Sequence, residues 1–176
     1  MEQISYTARI CSDQKKINSF LTEKRVGILG MCDKEGKPYS IPVNYIYEDG
    51  KMYIHGMGSG KKNNILKEKS FVCFTVFEEF GTVKDSIPCK CDTSYFSVVI
   101  FGKAVLVEDL EEKARVLTLI SEKFVPGIFK NPLSKEFVSK YHSSCDNNTT
   151  AVYCISPEDI TAKENPVDME NMVQYN

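Results

Sequence analysis

The chain has no apolar run approaching the ~18 residues that cross a bilayer as a helix. It also has no tryptophan. Its N-terminus, Met1-Glu2-Gln3-Ile4-Ser5, lacks both the basic and the apolar regions of a secretory leader. With 22 basic against 24 acidic side chains, net charge is −2, so no basic excess marks a nucleic-acid partner. The dinucleotide fingerprint G-x-G-x-x-G is missing, and no repeat, linker or low-complexity stretch divides the chain. These absences imply one domain over residues 1–176, cytoplasmic, with neither membrane nor nucleic acid as partner.

Disulfides and zinc are also disfavoured. Seven cysteines are an odd number in a chain too long to need staples, and Cys32 and Cys73 sit in apolar runs as small core residues. Cys89-x-Cys91 and His142-x-x-Cys145 offer four zinc-type ligands, but they stand roughly fifty residues apart and match no usual zinc-finger spacing. Reduced thiols and no metal are expected.

What is present centres on residues 53–66, Tyr-Ile-His-Gly-Met-Gly-Ser-Gly-Lys-Lys-Asn-Asn-Ile-Leu. An apolar strand runs into His55, and flexible residues then precede Lys61, Lys62 and a short amphipathic segment. Glycines let backbone N–H groups turn toward a ligand, and a helix opening there adds positive potential. Two lysines add full charges, so the stretch reads as a phosphate site. The nucleoside-triphosphate loop G-x-x-x-x-G-K-[ST] fails at both ends, with His55 first and Lys62 last. The competing bland readings are a solvated turn and, for His55, a structural histidine.

Around this loop the chain alternates short strands with few helices. Ser12-Asp13 caps a helix over Gln14–Glu23, with Ile17, Phe20 and Leu21 as its apolar stripe. Strands follow at Val26–Cys32, Tyr39–Tyr47 and Lys51–His55, joined by turns at Asp33–Gly36 and Glu48–Gly50. A short helix at Lys61–Lys69 precedes a strand at Phe71–Phe77, and Glu78–Pro88 reads as a loop. Tyr95–Val107 is the longest strand, with Gly102 as a bulge or close contact. Asp109 caps a helix over Leu110–Phe124 that turns Leu117, Ile120, Ser121 and Phe124 inward and Glu111, Glu112 and Lys113 outward. A shorter helix near Glu136–Tyr141, a last strand at Ala151–Ile155 and a loosely held tail over 164–176 complete the reading. Six strands in a meander with few helices give a mainly β fold, a small antiparallel barrel with peripheral helices.

The order of residues resembles a known family. It runs Gly27-Ile28-Leu29, Asp33-x-x-Gly36-x-Pro38-Tyr39, Ile41-Pro42-Val43-Asn44-Tyr45, Tyr53-Ile54-His55-Gly56 with Gly60-Lys61, and Tyr95 through Lys103. This is similar to the flavin-binding split-barrel proteins related to pyridoxamine 5′-phosphate oxidase, and within them to the 5-nitroimidazole resistance branch. The resemblance implies a six-stranded split barrel and a homodimer with FMN at the subunit interface. It assigns the phosphate to residues such as His55, Gly56, Ser59 and Lys61, to which the reading of the loop itself adds Gly60 and Lys62. It lays Ser40, Ile41, Pro42, Val43 and Asn44 along the flavin ring, mostly through backbone groups, and brings Tyr95, Ser97 and Val98 from the second subunit. Two departures argue against pyridoxamine phosphate as substrate. Gly60 stands where the oxidases carry an arginine, and the C-terminal tryptophan is missing. Ile160-Thr161-Ala162-Lys163 resembles the Ile-Thr-Gly-Lys ending of the nitroimidazole branch, with Ala162 departing from it. The implied activity is an FMN-dependent oxidoreductase acting on nitro compounds or related small electron acceptors, with His55 as the catalytic candidate. The alternatives are a flavin or haem protein without turnover, serving storage or sensing, and a barrel that only mediates assembly.

Overall fold

The computed structural model describes residues 6–68, 70–166 and 172–173. The strands are β1 (Val26–Cys32), β2 (Pro38–Glu48), β3 (Lys51–Gly56), β4 (Phe71–Val83), β5 (Asp92–Leu106) and β6 (Ala151–Asn165). The helices are α1 (Gln14–Glu23), α2 (Lys61–Glu68), α3 (Leu110–Phe124) and α4 (Lys135–Lys140). All pairings are antiparallel, and the six strands close into a ring in the order β1-β2-β3-β6-β5-β4.

Alternation decides which side chains fill the ring. Leu29, Tyr45, Ile54, Phe74, Val98 and Ile155 point inward and are completely buried. Helix α1 closes one end because Asp13 accepts from the N–H groups of Lys15 and Lys16 and so fixes its start. Its stripe of Ile17, Phe20 and Leu21 then faces the barrel, with Phe20 edge-on to Phe96 at 4.7 Å. Leu21 is fully buried, which stabilises by about 1.5–3 kcal/mol for such a side chain. A second core forms outside the ring, where Val116 and Ile120 of α3 pack on Ile46, Tyr53 and Val152.

Two strands run further than their local chemistry suggests. β4 continues through Glu78 and Glu79 to Val83 because β5 pairs with it throughout, and a register shift at Gly81 (φ +133°) absorbs the irregularity. β6 continues past Pro157, which sits opposite Gly102 where the β5–β6 register shifts. A Cβ at Gly102 would lie 2.2 Å from the Ser156 carbonyl oxygen, so only glycine fits there. Glu164 and Asn165 belong to β6, and Met172 bridges to Val83. Val173 N–H donates to the Thr82 carbonyl at 2.8 Å, and residues 167–171 and 174–176 of the expected loose tail lie outside the described residues. Lys113, expected on the solvent side of α3, is instead buried.

One outer face of the sheet is apolar. Phe71 and Phe77 on β4 are 52% and 62% exposed. Strand pairing sets Ile28 of β1 and Val99 and Phe101 of β5 beside them on that face.

Candidate functional site

The loop between β3 and α2 is held from behind by two residues of the helix. Asn63 is almost completely buried and donates through Nδ2 to the carbonyls of Met57 and Ser59, the latter at 2.7 Å. Lys62 folds back over the strand end and donates to the His55 carbonyl at 3.3 Å. Burial lowers its pKa, because a desolvated ammonium is costly. Lys61 does the opposite. It is exposed, forms no ion pair among the described residues, and lies 4.4 Å from the Tyr39 ring centroid. The two adjacent lysines therefore split into a structural clamp and a free charge.

Tyr39 belongs to the part of β2 that faces this charge. Residues 38–44 of β2 pair with β1, whereas β3 reaches only residues 45–48. The stretch containing Ser40–Asn44 thus has one edge without a strand neighbour, and this is the split in the barrel. Ile41 and Val43 pack on the core, while the side chains of Ser40, Pro42 and Asn44 are exposed.

Tyr95, Ser97 and Val98 lie elsewhere. Gly56 pairs with Ala151 at one end of β6, and Tyr95 pairs with Asn165 at the other. At ~3.3 Å of rise per residue, those positions fall at opposite ends of the barrel. Tyr95 and Ser97 face outward, but the Val98 side chain is fully inside the ring, which leaves its backbone alone for contacts. Tyr95 lines a cavity of about 710 Å³ between α1 and the β4–β5 hairpin. Phe20, Phe80 and Phe96 also line it, and two of its three lysines, Lys16 and Lys24, are paired with Glu164 and Glu78.

His55 does not point into the barrel. Met52 and Ile54 fill the interior, so Tyr53 and His55 face outward beneath α3 and α4. The imidazole borders a cavity of about 180 Å³ with Leu117, Ile120, Phe137, Val138 and Tyr141, and its buried Nδ1 has no hydrogen-bond partner among the described residues. The expectation that His55 contacts a phosphate implies a raised pKa, since a neighbouring anion favours the imidazolium. Here desolvation, with Lys62 second, holds it below the usual histidine range.

The sequence reading missed a residue on the loop itself. Asp146, from the turn before β6, accepts from the Ser59 N–H at 3.1 Å and from the Ser59 hydroxyl at 2.8 Å. Burial pushes its carboxyl up in pKa, but the bonds from Ser59 and Asn148 outweigh that and hold it below the ordinary carboxylate range. The run Cys145-Asp146-Asn147-Asn148 signals a turn, but nothing in the sequence links it to Ser59, 87 residues away.

The family model described as pyridoxamine 5′-phosphate oxidase matches residues 13–164. No curated protein matches the chain. Among solved structures, a candidate 5-nitroimidazole antibiotic resistance protein of Bacteroides thetaiotaomicron is 25% identical, with a TM-score of 0.66 over 88% of this chain and 85% of that one. A flavocytochrome of Azotobacter vinelandii shares the fold at 21% identity and a TM-score of 0.78, covering 99% of this chain and 84% of that one. An FAD- and haem-binding protein of Mycobacterium smegmatis does so at 15% identity and a TM-score of 0.72, covering 92% and 77%.

Proposed function

The chain belongs to the pyridoxamine 5′-phosphate oxidase family, and from that premise we infer that it is an FMN-dependent oxidoreductase acting on nitro compounds or similar small electron acceptors. The observation that carries this reading is the free Lys61 ammonium set over Tyr39, at the unpaired edge of β2. A single exposed charge beside a glycine-rich turn suits one terminal phosphate. An unpaired strand edge suits the polar rim of a flavin ring, reached through backbone groups of Ser40–Asn44. The likeness to the Bacteroides protein supports nitro compounds as the acceptor class.

A flavin held here would supply the redox chemistry. The chain's own residues bind and orient it: Lys61 neutralises phosphate charge, and Asn63 and Lys62 hold the loop in shape. His55 ties the loop to β3 through its backbone carbonyl, which accepts from Lys62, while its ring lies under α3 and α4.

The site is completed by a second copy of the chain. Tyr95 and Ser97 lie at the far end of β6 from the loop, so one protomer does not bring them to its own Lys61. The apolar face around Phe71 and Phe77 supports a dimer, since exposed apolar patches of that kind mark interaction sites. A second reading, binding without turnover, is supported by the relatives described as a flavocytochrome and as an FAD- and haem-binding protein.

Purified protein should be yellow, with absorbance near ~450 nm from oxidised flavin. It should also reduce a 5-nitroimidazole when supplied with a reduced nicotinamide donor. Colourless protein refutes the flavin reading, and yellow protein without turnover leaves the binding reading standing.

A further inference from the structure

The turn that covers the phosphate loop is a self-contained body. Ser143 N–H donates to the Asn148 carbonyl at 2.9 Å, Asn147 N–H to the Ser143 carbonyl at 2.8 Å, and Asn148 Nδ2 to the Asp146 carbonyl at 2.8 Å. Among the described residues, its hydrogen bonds to the rest of the protein are the two that Ser59 donates to Asp146 Oδ2. The turn sits tightly on the loop. A Cβ at Gly58 would lie 2.7 Å from Asn148 Cβ and from the Thr149 carbonyl oxygen. Among the described residues no cation pairs with Asp146, so Ser59, with Asn148 behind it, is what satisfies the carboxylate.

The Ser59 N–H and hydroxyl are among the donors that this loop offers a phosphate. A phosphate taking them would meet the Asp146 carboxylate at contact distance, where like charges repel strongly. The two anions exclude each other. Leaving the loop breaks the two hydrogen bonds from Ser59 and gives up the packing of Asn148 and Thr149 on Gly58, while the bonds inside the turn travel with it.

We propose that Asp146 competes with the cofactor's phosphate for the Ser59 donors, and that the 143–149 turn lifts off as one body when the phosphate takes them. The proposal rests on the phosphate reading of the same loop. It makes Asp146 a specificity-determining residue, because a flavin with a phosphate must displace it and a flavin without one need not.

The test titrates FMN and riboflavin, followed by flavin fluorescence, against wild type, Asp146→Asn and Lys61→Ala. Asparagine keeps an acceptor for Ser59 but removes the charge. Wild type should prefer FMN, and Asp146→Asn should gain about tenfold in FMN affinity with riboflavin unchanged, since charged acceptors hold such donors more strongly than neutral ones. Amide hydrogen exchange on wild type gives a second reading that needs no variant to fold. FMN should speed exchange at Cys145–Asn148, and riboflavin should not. Unchanged or weaker FMN binding by Asp146→Asn overturns the proposal and makes Asp146 a support for Ser59. Exchange that FMN slows or leaves alone overturns it as well. If wild type binds both flavins equally and Lys61→Ala changes neither, the phosphate reading itself falls. If wild type prefers FMN and Asp146→Asn gains nothing, only the proposal falls.

Discussion

Lys61 and Lys62 are adjacent, carry the same charge and should fail in different assays. Lys61 is exposed and forms no ion pair among the described residues, so Lys61→Ala removes only its contact with the exposed side of the Tyr39 ring. Exposed substitutions of that kind move stability by about 0.5 kcal/mol or less. A charge-assisted contact to a phosphate, by contrast, contributes ~1.5–3 kcal/mol, or roughly ten- to a hundredfold in affinity. Because the ammonium is solvated, about tenfold is the figure to expect near physiological salt, and it should shrink as salt rises. Lys62 donates to the His55 carbonyl from a half-buried position. Removing it strands that carbonyl, at a cost of ~1–3 kcal/mol, partly offset because a desolvated cation also disappears. A net loss of about 1 kcal/mol lowers the melting temperature of a chain this size by ~2–4 °C. Flavin fluorescence titration and thermal melts on both variants, with riboflavin as the control without phosphate, measure the two effects. If Lys62→Ala weakens FMN binding at unchanged melting temperature while Lys61→Ala binds normally, the assignment is reversed and the reasoning from exposure fails.

Three further outcomes follow from the same geometry. Burial lowers the His55 pKa, so in flavin-free protein the unfolded chain takes the proton first. Stability is then complete above the unfolded value of ~6.5 and falls as pH drops below it toward the folded pKa. His55→Gln should flatten that slope in melts across the range, and equal slopes in both proteins would place the titration elsewhere. Gly102→Ala should cost about 1–3 kcal/mol by overpacking, because the added carbon meets backbone that cannot move aside. An unchanged melting temperature would mean that the β5–β6 bulge yields. Phe77→Glu puts a charge on the apolar outer face of β4. It should shift sedimentation from dimer to monomer and lower FMN affinity with it, whereas a dimer that persists would move the interface elsewhere.

Legibility in the sequence followed the range of the interactions. Helix α1, strand β1 and helix α3 stand where capping and periodicity put them, because Asp13, Asp109 and the apolar stripes act locally. β4 beyond Phe77 and β6 beyond Ile155 were not legible. Glu78, Glu79 and Pro157 read as breakers, and only pairing with β5 keeps those segments extended. The loop was legible as a phosphate candidate from glycines and lysines alone. The division of labour between the lysines was not, since it depends on Lys62 reaching back to the His55 carbonyl. His55 itself was misdirected by parity: Met52 and Ile54 take the interior, so its ring goes under α3 and α4. Asp146 reaches Ser59 only through the closure of the barrel.

The unpaired stretch of β2 also bears on how the chain avoids its own kind. A bare strand edge is a template on which any extended peptide can build a further strand, and the outcome is aggregation. Here the edge is punctuated by Pro38 and Pro42, neither of which has an N–H to give to a ladder, and it is flanked by the charged Lys37. A docking peptide would meet gaps in the donor row at every fourth residue. A compact planar molecule needs only a few donors and is not penalised by those gaps. The same prolines that interrupt peptide pairing thus leave the opening in the barrel available to small ligands.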